Sequence, residues 1–328
     1  MFKIRFLFTI SLMLVFVLAC NTGEDSADNE KTTSVDTAMA TEAPSVAETY
    51  PLTLTDLLGR QIEIDEEPQR IIGISPTAME MLYKVGGKAV GRDSGSKWEP
   101  SIEALPSVGG AYNPNIETII ELTPDLMVIE ALTQGHMADR LASARAPIVA
   151  VRAASVKDVK DSLILLGKAI DKENKAAEVV AEMQDRINVA VTGFDESRNL
   201  LILISDADRN LYAALPNSYA GAIVDALNLS NVASDLSESG PYPGYALFSS
   251  EQAIKTNPDV ILTISPAPEP APRLSTMLPR IPGYAELDAV ANGRVSEVSV
   301  DLFLQAPGPR IVDAIEELAT IIGDMEFE

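Results

Sequence analysis

The stretch Asn115-Ile116-Glu117-Thr118-Ile119-Ile120-Glu121-Leu122-Thr123-Pro124-Asp125-Leu126-Met127-Val128-Ile129 holds a complete supersecondary unit. The chain repeats it at Ser249-Ser250-Glu251-Gln252-Ala253-Ile254-Lys255-Thr256-Asn257-Pro258-Asp259-Val260-Ile261-Leu262-Thr263-Ile264. Glu117 and Glu251 each stand two residues after a side chain suited to N-capping, Asn115 and Ser249. From either glutamate an isoleucine follows at +3, proline at +7, aspartate at +8, and then an apolar run. The unit is a two-turn helix, capped at its start and stopped by proline, then a buried strand. A Pro-Asp pair alone could recur by chance. All the offsets together, 134 residues apart, argue two lobes built on one plan.

The flanking sequence extends the same reading. Gly59–Ile64 alternates with period two, and Pro68 precedes a buried-looking strand at Arg70–Ser75. Pro76–Leu82 then starts a helix with Ser75 or Thr77 as cap. Further strands are expected at Ile148–Val151 and Leu200–Ser205, and helices at Tyr219–Leu227 and Ile311–Ile322. Alternating strand and helix argues an α/β fold with mainly parallel sheets. Between the halves, Lys172–Thr192 has helical periodicity and neither proline nor glycine. About 21 residues at 1.5 Å each make a rod of roughly 30 Å, long enough to bridge two lobes. The expected layout is a leader at 1–19, a tether at 20–50, lobes at 51–170 and 194–328, and the bridging helix at 171–193. Gly86-Gly87-Lys88 lacks the upstream glycine and following hydroxyl of a phosphate loop, and reads as a helix C-cap and turn.

Composition narrows the function classes. The 328 residues are 46% hydrophobic and 22% charged, so a sizeable core forms. Lys and Arg number 25 against 48 Asp and Glu, a net charge of −23 that repels nucleic acid. One cysteine and one histidine exclude an internal disulfide, a thiolate zinc cluster and a multi-histidine metal cage. No Ser/His/Asp set is convincing around the single His136, which disfavours catalysis. Neither a resident metal nor a cofactor is expected.

At the amino terminus, Lys3 and Arg5 precede an uncharged run, Phe6–Leu18, too short to span a bilayer. It ends in Val17-Leu18-Ala19-Cys20, which resembles the lipobox of bacterial lipoproteins. That resemblance implies cleavage before Cys20 and lipidation of Cys20, so the body is held outside the cell membrane by a lipid anchor alone. Residues 21 to 50, rich in Thr, Ser, Ala, Glu and Asp, read as a disordered acidic tether.

Over about Leu52 to Ile322 the chain resembles the substrate-binding proteins of bacterial ABC importers for ferric siderophores, haem and cobalamin. The motifs are Pro68–Ser75 with Glu80, Val90-Gly91 with Ser94 and Ser96, and Leu105-Pro106-Ser107-Val108-Gly109. They continue through both Glu-to-Pro-Asp units to Gly293-Arg294-Val295 and Gly308-Pro309-Arg310. Singly each is weak; their order and spacing are specific. The resemblance implies two α/β lobes joined by one long helix, a ligand cleft between them, and a permease with its ATPase as partner. It also implies that Glu117 and Glu251 meet permease arginines, although acidic residues favour a helix's first turn in any case.

Ligand candidates follow from the loops. Tyr112, before Glu117, is either a surface tyrosine or one that ligates haem iron or packs on a flat chelate. Trp98, the only tryptophan, is either structural or a ligand contact. Tyr242 and Tyr245 precede Glu251 as Tyr112 precedes Glu117, and are the second-lobe candidates. Ser75, Thr77 and Phe303 complete the apolar and hydroxyl set. Arg310 suits a carboxylate or phosphate bidentately, or serves as a structural ion pair. Arg92, Lys97 and Arg209 are further possible cations. The proline-rich Ser265–Pro272 either lines the cleft or shields its rim. His136 is either an axial ligand or a surface histidine.

Three functions compete: a monomeric binding protein delivering a bulky metal chelate or tetrapyrrole, an exported carboxylate-dependent hydrolase, and an adhesin or scaffold lipoprotein. Only the first needs matched charges on two lobes. Aromatic walls with a few cations suit a large anionic chelate, and a ferric siderophore is expected ahead of haem or cobalamin.

Overall fold

Strands that are apolar at every position can be satisfied only with both faces covered, and both halves of this chain meet that demand with helices. The computed structural model describes residues 50–192, 198–267, 270–305 and 307–327. The leader, Cys20 and tether residues 20–49 lie outside the described residues. No helix among the described residues is long and apolar enough to cross a membrane.

The N-terminal lobe opens with an antiparallel hairpin, β1 (Leu52–Thr55) and β2 (Gln61–Ile64). Its turn is fixed by Asp56, whose carboxylate accepts the backbone N–H of Leu58 and Arg60 and the Arg60 guanidinium. There follow β3 (Ile71–Gly73), α1 (Pro76–Lys84), β4 (Ala89–Arg92), α2 (Pro100–Glu103), and the two-residue ladder β5 (Gly109–Gly110) with β6 (Asn113–Pro114). The lobe continues with α3 (Ile116–Glu121), β7 (Leu126–Glu130), α4 (Ala131–Gln134), α5 (Ala138–Leu141), β8 (Ile148–Val151) and α6 (Val156–Ala169). The four-stranded sheet runs β4-β3-β7-β8, parallel throughout.

After α7 (Glu173–Ala190), the C-terminal lobe contains β9 (Asn199–Ser205), β10 (Leu211–Ala214), α8 (Tyr219–Ala226), β11 (Ser230–Asn231), β12 (Tyr245–Leu247) and α9 (Ser250–Thr256). It ends with β13 (Val260–Ile264), α10 (Leu274–Met277), α11 (Asp288–Ala291), β14 (Val295–Glu297) and α12 (Ile311–Gly323). Its sheet runs β12-β10-β9-β13-β14, with β11 beside the start of β9. β9, β11, β13 and β14 are parallel, but β10 and β12 pair antiparallel, an addition the first lobe lacks.

The repeated unit is a stitch between a helix end and the neighbouring strand. Asn115 Oδ1 caps α3 through the N–H of Glu117 and Thr118, and Ser249 caps α9 in a reciprocal box with Gln252. Both helices end on a left-handed residue one place before the proline, Thr123 (φ 44°) and Asn257 (φ 36°). The aspartate then pins the adjacent strand: Asp125 accepts the backbone N–H of Gln69 and Arg70, and Asp259 that of Asn199.

Side chains alternate between two faces of each sheet, as period two requires. In β9, Leu200, Ile202 and Ile204 enter one core while Leu201 and Leu203 enter another; in β8, Val149 and Val151 part from Ile148 and Ala150 in the same way. The inward faces of both sheets share one core, which also contains Ala176, Val179, Met183 and Ile187 of α7. The expected rod, Lys172–Thr192, is α7 at Glu173–Ala190, packed between α6 and α12. Its close approach to α6 depends on Gly167, where a Cβ would fall 2.4 Å from that of Ala176.

Candidate functional site: an interlobe cleft

A cavity of ≈ 1150 Å³ lies between the lobes. That exceeds the ~300–1,000 Å³ of ordinary small-molecule pockets, so a bulky ligand fits where an amino acid or single sugar would be loosely held. The N-terminal wall is aromatic. Tyr83, on the last turn of α1, meets Trp98 edge-on at 6.0 Å between centroids. Trp98 is 44% exposed and Tyr112 82% exposed, both lining the cavity.

The two loops that carry these rings are held from behind. Asp93, fully buried, accepts the N–H of Gly95 and the Ser96 hydroxyl, which shapes the loop to Trp98. Burial raises the Asp93 carboxyl above its ordinary value, opposed by those hydrogen bonds. The Tyr112 turn is tied down by Gln134, buried on α4, whose amide nitrogen donates to Ala111 O (2.9 Å) and Ile74 O (2.7 Å). Gly109 (φ 94°) opens this turn with a backbone that L-residues rarely adopt, and a Cβ there would sit 2.9 Å from Asn113 O.

The opposite wall comes from a π-helical turn, Asp301–Gln305, and the start of α12 with Pro309, Arg310 and Asp313. Arg310 closes a bidentate ion pair with Glu80 of α1 across the cavity, Nη2–Oε1 2.9 Å and Nε–Oε2 3.1 Å. Burial raises the Glu80 carboxyl above its ordinary value, and the Arg310 guanidinium partly offsets this. Arg186 of α7 also faces the cavity, but its guanidinium is forked onto Glu316 (2.8 and 2.6 Å) and Asp313 (2.6 Å). Among the described residues no cluster of His, Cys, Asp and Glu could hold a metal ion.

A family model described as periplasmic binding protein matches residues 71–300. The chain belongs to the periplasmic binding protein family. Within this family, the uncharacterized ABC transporter substrate-binding lipoprotein YvrC of Bacillus subtilis is 26% identical over 322 residues, 95% of this chain and 94% of its own length. A cobalamin-binding protein of Halobacterium salinarum is 27% identical over 279 residues, 82% of this chain and 73% of its own. Staphylococcus aureus SirA, solved in complex with staphyloferrin B, has a TM-score of 0.69 at 22% identity over 84% of this chain and 99% of that one. That likeness shows the shared fold: two α/β lobes, mainly parallel sheets and a long connecting helix.

Of the ligand candidates read from the sequence, this member of the family brings Trp98, Tyr112 and Arg310 together in the cleft. The other five stand outside the cavity lining. Ser75 is buried with its Oγ capping α1 through Ala78 N–H (3.1 Å), and Thr77 is buried on the first turn. Tyr245 is a buried residue of β12, and Tyr242 packs edge-on against Tyr212, 5.1 Å between centroids. The antiparallel pairing of β12 with β10 draws this aromatic segment into the sheet edge and away from the cleft. Phe303 is fully buried in the shared core; its neighbours Leu304 and Gln305 line the cavity instead. Among the supposed cations, Arg92 is buried and donates to the carbonyls of Ile102, Asp93 and Glu103. Arg209 sits on the exposed β9–β10 turn and His136 is exposed, and neither lines the cleft. The described part of Ser265–Pro272 does not line it either. Sequence reading overlooked Tyr83, Lys84 and Asp313, although each lies one helical turn from a residue it had marked.

Proposed function

We propose that this protein is the extracytoplasmic substrate-binding component of an ABC importer, which captures a bulky metal chelate or tetrapyrrole and delivers it to a membrane permease. It acts as a monomer, anchored through lipid on Cys20. The observation that carries the reading is the cleft: its volume and its three exposed or half-exposed rings, Tyr83, Trp98 and Tyr112, on one wall. Membership in a binding-protein family supports it, as do relatives named for substrate binding and cobalamin binding and a fold neighbour solved with a siderophore. Neither a hydrolase nor a scaffold needs such a wall. Titration with a ferric siderophore, haemin and cyanocobalamin, followed by Trp98 fluorescence and calorimetry, tests it. Binding of at least one is expected; binding of none, with tight uptake of a sugar or amino acid, refutes the chelate class.

Delivery requires a surface that the permease reads on both lobes, and Glu117 and Glu251 fit that role. Both are exposed, neither lines the cleft, and neither has an ion-pair partner among the described residues. Each is followed at +3 by an exposed isoleucine, Ile120 (46%) and Ile254 (54%), so the two patches match in apolar as well as charged character. Replacing both glutamates by alanine is expected to leave ligand affinity intact and abolish import in a transport assay. Normal import by the double variant would sink the docking assignment.

A further inference from the structure

We propose that Glu80 sets the charge preference of the cleft: by holding Arg310 it removes that cation from ligand recognition, so the site selects a chelate of little net charge, such as a corrinoid, over a polyanionic ferric complex. This rests on the chelate-binding reading above. Four cationic side chains line the cavity, Lys84, Lys97, Arg186 and Arg310, against four anionic ones, Glu80, Glu99, Asp301 and Asp313. The balance is not merely numerical. Both guanidiniums, the groups best shaped to grip a carboxylate, already have carboxylate partners within the protein: Arg310 is bidentate on Glu80, and Arg186 is forked on Glu316 and Asp313.

An anionic ligand that took Arg310 would have to break its pair and leave the largely buried Glu80 carboxylate without its counterion, a step costlier than forming the pair is favourable. Glu80 is the more enclosed of that pair, its side chain 13% exposed against 37% for Arg310, so it cannot readily turn to water if displaced. Arg186 is held by two carboxylates at once, both more exposed than Glu80. The two lysines remain free, but Glu99 and Asp301 on the same lining offset them. What the cleft offers freely is a set of ring faces and edges with scattered hydrogen-bonding groups. These are the complement of a large, flat macrocycle carrying neutral amide arms. The ferric-chelate preference read from the sequence rested on hydroxyls and on Arg92, Lys97, Arg209 and Arg310 as possible cations. Of these four only Lys97 lines the cleft without a carboxylate partner among the described residues, and Glu99 stands beside it in the lining.

The test measures the affinity of the full chain for cyanocobalamin, haemin and ferric citrate at low and high salt. Cyanocobalamin is expected to bind tightest with little salt dependence, and ferric citrate weakest. Glu80→Gln, close to isosteric, frees Arg310 and should raise the ratio of ferric-citrate to cyanocobalamin affinity by about tenfold. Arg310→Gln leaves Glu80 unopposed and should move that ratio the other way. A merely structural role for the pair would shift all three ligands together and leave the ratio unmoved. Tightest binding of ferric citrate by the wild type, with steep loss in salt, or an unchanged ratio in both variants, would overturn the proposal while the transport reading stands. Binding of none of the three would remove the chelate reading and this inference with it.

Discussion

Arg186 shows how much one side chain does between elements. From α7 it reaches Asp313 and Glu316 on α12 and fastens the connecting helix to the second lobe. The Arg186 hydrogen bonds hold the Glu316 carboxyl below its ordinary value of 4.5. A carboxylate with a depressed folded pKa stabilises the fold above its unfolded value and loses that contribution as pH falls through the folded one. Glu316→Gln should therefore lower stability at neutral pH, and the difference should vanish well below pH 4.5. Because Glu316 is 41% exposed and Arg186 34%, solvent screening limits the effect to ~0.5–1 kcal/mol. Urea denaturation of the two proteins across pH measures it. A gap that persists in acid would assign the loss to packing instead of charge.

At the scale of elements, the repeated stitch explains why one motif occurs in both lobes. Asp125 accepts two backbone N–H groups at the start of β3, whereas Asp259 accepts one at the start of β9. At ~1 kcal/mol net for each such bond, Asp125→Ala should destabilise by about twice as much as Asp259→Ala, without change in ligand affinity. Denaturant midpoints decide this; equal losses, or none, would mean the aspartates are not the pins. The motif was legible in the sequence because its parts lie within a few residues of each other: cap, apolar spacing, proline, aspartate. So was α7, whose uninterrupted helical pattern needs no tertiary information. The second-lobe aromatic segment was not legible. Tyr242 and Tyr245 occupy the place before α9 that the Tyr112 turn occupies before α3, but whether a segment forms a loop or an edge strand depends on β10 being there to pair with it. Glu80 and Arg310 stand 230 residues apart, and no local spacing signals that they meet. Gln134 was missed for a related reason: a buried amide that ties down a loop looks like any polar residue in a helix.

The whole molecule is two lobes that share a core, and this sets how far they can move. Val179, Met183 and Ile187 of α7 lie in the same apolar cluster as Val149 of the first sheet and Leu262 of the second. Each such side chain contributes ~1.5–3 kcal/mol through burial, so a rotation that parted the lobes along α7 would expose several of them at once. The helix itself has neither proline nor glycine at which a kink could localise. The Arg186 fork and the Glu80–Arg310 pair resist the same rotation. Binding proteins hinged on extended strands close by large rigid-body swings; this architecture favours local adjustment of the cleft loops around a nearly fixed frame. Small-angle scattering with and without bound chelate should accordingly show a change in radius of gyration of about 1 Å or less. Softening α7 at its exposed face with Ala181→Gly and Glu182→Gly, at ~1 kcal/mol each relative to alanine, should enlarge that change, because the frame then bends where the wild type cannot. A large ligand-driven compaction already present in the wild type would show that the shared core slides instead of holding, and that α7 is a hinge.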